Sequence, residues 1–353
     1  MTPKVLLVDT TQHQPSSPMF AEALARATTA GRVSGSFVDE GPTFDRLASS
    51  RAERFLRRVR PWPHKSVAEL HRAIVSQAEA IRPDIVLVVK GAHLTTECLT
   101  ALKATGATLV NFSTDDPFNP RTSSRLWRRT LPLYDLVCSP RHANITDLRS
   151  LGVSSVEFVP FGYKPDVHFP EVAATADERT RFESDVCFIG GADTDRVKYF
   201  EELVHQLPHV RLALYGGYWN RSHRLARYWR GFAVGRDFRL AVGGAAITVN
   251  LVRRANRDDH VMRTFEVPAC GGCMLTEATA SHRAWFAEGQ DAFMFDSPGG
   301  LARGVRFLLG RPELRRRAAA AGRCKVVEMP NRYDDRLATI LRAAIERRRP
   351  AVN

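Results

Sequence analysis

Short β-rich apolar runs alternate with longer stretches of helical periodicity along the chain. That alternation predicts parallel α/β layers: a strand buried on both faces reads as a continuous apolar run, and its crossover helix repeats apolar positions at 3.6-residue spacing. The first series of candidate strands is Val5–Val8, Ile85–Val89, Thr108–Asn111, Leu136–Cys138 and Val156–Val159, with helices at Phe20–Ala27 and Val67–Ile81. A second series follows at Val186–Ile189, Val210–Tyr215, Ile247–Leu251, Met274–Leu275 and Ala292–Phe295. Two successive series predict an α/β protein of two Rossmann-like domains facing a cleft.

The boundary is expected in Pro165–Glu183, where prolines 165 and 170 stiffen the exit and Ala173-Ala-Thr-Ala-Asp-Glu-Arg-Thr180 supplies a polar connector. Domains are therefore placed at 1–170 and 171–335, with 336–353 as a C-terminal helix belonging to an amphipathic stretch, Tyr333–Arg348. Length agrees with this division: 353 residues, 44% of them hydrophobic, exceed what one core usually organises. No run of 18 or more apolar residues occurs, and Met1-Thr-Pro-Lys-Val-Leu-Leu-Val-Asp9 goes directly into a strand. A transmembrane or secreted reading is set aside for a cytoplasmic one.

Chemistry concentrates in His260-Val-Met-Arg-Thr-Phe-Glu-Val-Pro-Ala-Cys-Gly-Gly-Cys-Met-Leu-Thr-Glu277. A helix starting near Arg263 and Thr264 would present backbone N–H groups without intrahelical partners, and its dipole would favour a diphosphate there. Gly271 and Gly272 break that helix and return the chain into the apolar run Cys273-Met274-Leu275. Glu266, in the first turn, is placed to accept hydrogen bonds from two vicinal hydroxyls, as a ribose or sugar presents them. Cys270 and Cys273 mimic a redox pair or half a zinc site, but no second ligand pair accompanies them, and the six cysteines read as small buried hydrophobes. No metal site is expected.

The stretch Met262–Glu277 resembles the retaining glycosyltransferases of the family 4 type, and more closely the CgeB-like branch first named for a spore maturation protein. Val159-Pro-Phe-Gly-Tyr-Lys-Pro-Asp-Val-His-Phe-Pro170 is similar to the family's interdomain crossover, and Asp185-Val-Cys-Phe-Ile-Gly-Gly191 with Arg196 to the first strand and loop of its donor domain. The resemblance covers most of residues 155 to 335. It implies the GT-B architecture, with an N-terminal acceptor domain, a C-terminal donor domain and a last helix packed back on the N-terminal domain. Glu266 corresponds to the second acid of the family's paired signature. The first acid's position, eight residues earlier, holds Asp258, and the usual glycine-rich loop is replaced by Asp259-His260-Val-Met-Arg263, which points to a different sugar or a shifted role for Asp258.

Further donor-side candidates are Gly190 and Gly191, which allow close backbone approach, and Arg196 and Lys198, which would place positive charge against a departing diphosphate. Tyr215 and Trp219 are candidates for a nucleobase face, the alternative being a core cluster, and His260 for a sugar or phosphate contact, the alternative being an exposed loop histidine. On the acceptor side, Asp115 and Asp116 leave a strand end in Asn111-Phe-Ser-Thr-Asp-Asp-Pro-Phe-Asn-Pro120, where open α/β sheets bind ligands, although Asp-Asp-Pro is also an ordinary turn. His93, in Lys90-Gly-Ala-His93, is a candidate sugar contact. After Asp9, Thr10 and Thr11 no glycine-rich turn follows, so no phosphate site is expected there.

Net charge of +13 comes from basic runs at Arg51–Lys65, Arg121–Arg129, Arg221–Arg239 and Arg342–Arg349. Arg54, Arg57 and Arg58 share a stripe beside Phe55, Val59 and Trp62. Such runs suit an anionic membrane surface or, less well, nucleic acid, or are solvated faces. Together the residues predict transfer of a sugar from a nucleotide diphosphate sugar to a hydroxyl acceptor on a glycan, lipid-linked glycan or protein, without metal or resident cofactor. The alternatives are a nucleotide-sugar epimerase of the same fold and a basic nucleic-acid-binding module on a degenerate scaffold.

Overall fold

The computed structural model describes residues 2–10, 18–43, 45 and 65–348. Thr11 and the stripe of Arg54, Arg57 and Arg58 lie outside the described residues. The chain divides into two compact units, Met1–Pro160 with Tyr333–Asn353, and Phe161–Arg332.

The first unit holds β1 (Lys4–Asp9), β2 (Ser34–Asp39), β3 (Ile85–Val89), β4 (Thr108–Phe112), β5 (Leu136–Ser139) and β6 (Val156–Phe158), all parallel in the order β2-β1-β3-β4-β5-β6. β3 and β4 are buried at every residue, as the apolar runs require of central parallel strands. β2, Ser-Gly-Ser-Phe-Val-Asp, escaped sequence reading because it is an edge strand with a half-polar composition. The Tyr333–Arg348 helix packs on the Ala21–Thr29 helix and on β4. Asp334 takes two hydrogen bonds of 2.7 Å from Arg26, and Tyr333 meets Phe20 edge-on at 5.4 Å.

The second unit holds β7 (Ser184–Ile189), β8 (Leu212–Tyr215), β9 (Ala245–Asn250), β10 (Met274–Glu277) and β11 (Phe293–Phe295), parallel in the order β11-β10-β9-β7-β8. The division falls at Pro160 and not near 170, because the connector belongs to this unit. Phe161, Tyr163 and His168 are buried in it, and Glu171 binds both Arg236 and Arg239 at 2.6 Å across the Arg236–Gly243 helix.

Two glycines carry the tight places of this unit. Gly271 ends the Arg263–Ala269 helix at φ +78°, giving the expected helix break, while a Cβ on Gly272 would stand 2.5 Å from Val242 Cγ1 of the Arg236–Gly243 helix. Gly216, after β8, has φ +120°, and a Cβ there would lie 2.5 Å from the Gly190 carbonyl oxygen. Left-handed strain and overpacking onto backbone combine at this position, so Gly216→Ala is expected to destabilise the second unit by about 2–4 kcal/mol, read as a drop in the midpoint of its denaturant unfolding.

Candidate active site

In the second unit β8 lies on one side of β7 and β9 on the other, so successive crossovers leave the β7 edge in opposite directions. Open α/β sheets bind ligands at that switch point, outside the carboxyl ends of the strands. Arg196 occupies it. Its Nη1 donates to the Gly191 carbonyl at 3.0 Å and its Nη2 to the Leu251 carbonyl at 3.1 Å, joining the ends of β7 and β9. The residue is 9% exposed, lies over the Phe188 ring, and has its pKa lowered by burial, an effect that Asp193 and Asp258 oppose. Lys198 does not join it. Two positions further along the Thr194–Gln206 helix it points away, with a side chain 67% exposed.

A second arginine converges on the same edge. Arg263 Nε donates to the Ile189 carbonyl at 3.1 Å, its Nη1 pairs with Glu266 Oε2, and its guanidinium lies over the Phe238 ring. Glu266 is fully buried, and its Oε1 faces His168 Nε2 at 3.5 Å. His168 Nδ1 accepts from the Lys164 N–H, so the imidazole is neutral and offers Nε2–H to the carboxylate; burial lowers its pKa and Glu266 opposes that. Glu266, expected to accept from vicinal hydroxyls, meets Arg263 and His168 in this arrangement. His168 was quoted within the crossover motif without a role.

The start of the Arg263–Ala269 helix differs from the sequence expectation. Thr264 donates to the Val261 carbonyl, and Phe265 and Glu266 to the Met262 carbonyl, so a preceding turn has taken up N–H groups expected to face a diphosphate. Positive charge at this edge comes from the two guanidinium groups. Thr264, expected to bind the donor, is wholly buried instead: its Oγ1 receives Asn250 Nδ2 at 3.2 Å and donates to His282 Nε2 at 2.9 Å. His282 Nδ1 donates to the Glu277 carbonyl at 2.7 Å, and burial pushes the imidazole down to about 4.

His260 is likewise interior. It is 1% exposed, its Nε2 accepts from the Phe161 N–H at 3.3 Å, its Nδ1 meets Asp259 at 3.0 Å, and Trp285 packs edge-on at 4.8 Å. It fastens its loop, and a sugar contact by its ring is not compatible with this packing. Asp258 sits half-buried in the same loop, within the electrostatic field of Arg196.

At the β8 end the expected aromatics turn inward. Tyr215 is 2% exposed, and Trp219 is buried with its Nε1 donating to the Gly190 carbonyl at 2.8 Å. Gly190 and Gly191 let this loop lie against the one after β7: Gly190 N–H donates to Tyr215 and Ala192 N–H to Gly217. The outward rings are Tyr218 and Phe232.

In the first unit Lys90 ends β3 at φ +60°, and its Nζ meets Asp115 at 2.6 Å. Asp116 is 1% exposed and accepts from Phe118 N–H at 2.9 Å and Asn144 Nδ2 at 2.8 Å, so it builds the turn; a proton-carrying role is not compatible with these bonds. His93 is half-buried, its carbonyl held by His71 Nε2 at 3.0 Å. Sequence reading missed Glu40. This residue follows β2 at the switch point between β1 and β3, is 4% exposed, and has Oε1 buried without a partner. Burial first, then Asp9 and Asp39, push its carboxyl up to about 8, against Lys90.

Several arginines of the basic runs are engaged internally: Arg236 and Arg239 with Glu171, Arg347 with Glu157 and Arg348 with Asp84. Cys270 and Cys273 are buried, and burial pushes both thiols up to about 12. Among the described residues no helix is long and apolar enough to cross a membrane.

Two titrations test these environments. Glu40 binds its proton more tightly folded than unfolded, so wild type loses stability as pH rises from about 4.5 to about 8. Glu40→Gln is expected to gain up to about 5 kcal/mol over wild type at pH 8.5 and little at pH 4.5, read from chemical unfolding at both values. His282 behaves oppositely: the unfolded chain takes its proton first, so stability falls as pH drops from about 6.5 to about 4. His282→Asn should flatten that decline by about 3 kcal/mol across the window, measured as the difference between the two unfolding profiles.

Residues 196–342 match the family model described as glycosyl transferase-like. No curated protein matches the chain in sequence. Among solved structures, a sucrose-phosphate synthase from Thermosynechococcus elongatus is 12% identical, with 98% of this chain and 99% of that one covered at a TM-score of 0.64. Anabaena HepE in complex with UDP-glucose is 14% identical, with 98% of each chain covered and a TM-score of 0.60. A Listeria monocytogenes protein described as a candidate UDP-N-acetylglucosamine 2-epimerase is 13% identical, covering 98% and 96% at a TM-score of 0.58. The family match thus covers residues 196–342, and the fold similarity, which runs along the whole length, gives this chain the GT-B architecture.

Proposed function

We propose that the chain transfers a sugar from a nucleotide diphosphate sugar to a hydroxyl acceptor. The observation that carries the reading is the convergence of Arg196 and Arg263 on the switch-point edge of the second unit, beside the buried carboxylate of Glu266. Charge developing on a departing diphosphate needs fixed positive charge in a site of low dielectric, and two guanidinium groups supply it. We take the transfer to be metal-independent on that ground, and retaining on the resemblance of Met262–Glu277. Glu266 would exchange one of its present donors for ribose hydroxyls. On the acceptor side, Lys90, Asp115 and Glu40 are the groups we assign to the incoming hydroxyl. The UDP-glucose named for HepE makes a UDP-sugar the first donor to try.

An epimerase acting on the free nucleotide sugar is the second reading, favoured by one structural relative. A membrane-surface role rests on the arginines of 51–65, since part of the other basic runs is engaged internally.

Removing Arg263 alone would strand a buried charge on Glu266, so the informative variant is the double substitution Arg263→Gln/Glu266→Gln. Nucleoside diphosphates and their glucose conjugates, without added metal, are expected to raise the Tm of wild type for at least one base, and the double variant should lose at least tenfold in affinity. Absence of any shift across UDP, ADP, GDP and their sugars would sink the donor site. Conversion of the nucleotide sugar to an epimer, with no acceptor present, would move the reading to the epimerase.

A further inference from the structure

We infer that His168 is the positioning residue of Glu266, holding that carboxylate in place for the ribose hydroxyls of a nucleoside diphosphate when Arg263 turns to phosphate; this rests on the donor-site reading above. His168 stands in the connector that opens the second unit, and its ring is interior, 5% exposed. The turn around it is made by backbone: Val167 N–H and His168 N–H donate to the Lys164 carbonyl at 3.1 and 2.8 Å. Arg239 Nη1 fixes that turn by donating to the Val167 carbonyl at 3.1 Å. None of these bonds needs an imidazole.

The ring has other contacts, one through each nitrogen. Nδ1 accepts from the Lys164 N–H at 3.1 Å, which leaves the proton on Nε2, and Nε2 faces Glu266 Oε1 at 3.5 Å. Burial disfavours a charge on the ring, Glu266 opposes this, and Arg263, Lys164 and Arg239 add to it, so the imidazole stays neutral. Phe238 sets the plane of the ring. It meets His168 edge-on at 5.4 Å and carries the Arg263 guanidinium 4.8 Å from its centroid. Arg263 and His168, on the two oxygens of Glu266, are thus seated on one buried aromatic side chain.

Neutrality decides which of these partners a phosphate draws away. A diphosphate attracts the guanidinium, which carries charge, and leaves a neutral imidazole where it is. A buried carboxylate then left short of donors is a stranded charge, which takes a proton or follows the arginine. Nε2–H prevents both by staying with Oε1, and Oε2, released by Arg263, is presented to the diol. His168 therefore acts on the hydroxyl contact and leaves the phosphate contact alone. A residue that only serves the fold would weaken both alike.

The test is calorimetric titration of the full chain with UDP and 2′,3′-dideoxy-UDP, for wild type, His168→Asn and His168→Gln, with Tm measured for each. The asparagine amide ends where Nδ1 stands and keeps an acceptor for the Lys164 N–H; the glutamine amide reaches the place of Nε2 and keeps a donor for Glu266. Wild type is expected to prefer UDP by about tenfold. His168→Asn should hold the Tm and the affinity for dideoxy-UDP while the preference for UDP disappears, and His168→Gln should lower the Tm and retain the preference. Preference kept in His168→Asn, preference lost in His168→Gln, or an equal loss of both ligands in either variant marks a ring that merely packs and overturns the inference. If wild type binds the two ligands alike, the diol contact and this role of His168 fall while the diphosphate site stands. If it binds neither, the donor site falls and the inference with it.

Discussion

A guanidinium taken out of water must find fixed oxygens, and in the second unit two of them find the same strand edge. Arg196 ties the carbonyls of Gly191 and Leu251, and Arg263 reaches the carbonyl of Ile189. Desolvating a cation costs several kcal/mol unless it is paired and hydrogen-bonded, so the positions of these carbonyls are constrained by the arginines as much as the reverse; Arg196 Nε, without a hydrogen bond of its own, lies 3.6 Å from the Asp193 carboxylate. The neighbouring features follow. Gly190 must lack a side chain, since a Cβ there would lie 2.9 Å from the Phe188 ring, and Asp193 caps the helix that carries Arg196. Glu266 is fully buried with Arg263 against one carboxylate oxygen and His168 facing the other.

The first unit repeats the topology and fills the same place with different chemistry. Its switch point between β1 and β3 collects Asp9, Asp39 and Glu40 with Lys90, and Lys90 takes up a left-handed backbone to reach Asp115. A carboxyl with a pKa near 8 is a neutral acid through most of the physiological range and can both donate and accept. Cations suit the leaving phosphates of a donor, and a neutral acid suits a hydroxyl. The same crossover rule thus yields two polar clusters of different chemistry, which on the proposed function would suit two kinds of substrate group.

The sheets were readable in the sequence because buried parallel strands are continuous apolar runs: ten of them in the first and second units coincide with runs such as Ile85–Val89 and Val186–Ile189. β2 was not, since an edge strand needs fewer apolar residues, and Glu40 was missed with it because nothing marked the end of an unseen strand. Arg196, Arg263 and Glu266 were singled out through the family-like motif, and the structure brings the two arginines to one strand edge with Glu266 against Arg263. His260, Thr264 and Asp116 were misread for one shared reason: a polar residue in a loop or helix start reads as available for ligand, and only the packed structure shows its atoms consumed by Phe161, His282 or Asn144. Tyr215 and Trp219 against Tyr218 is the same failure in aromatic form, because neighbours in sequence give no sign of which ring the left-handed turn throws outward.

The pairing of Arg263 with Glu266 sets a condition on any diphosphate that enters. Two further negative charges would arrive beside a carboxylate that is already buried, and Coulomb repulsion at such separations is large in a medium of low dielectric. The complex is favourable only if Glu266 gains donors as Arg263 turns to phosphate, and the donors at hand on a nucleotide are the ribose hydroxyls. His168, neutral and offering Nε2–H, can remain with Oε1 throughout and keep the carboxylate in place. On the proposed function, ribose and phosphate recognition would then be one coupled exchange centred on a single carboxylate, and a diphosphate without a diol would leave half of it unmet.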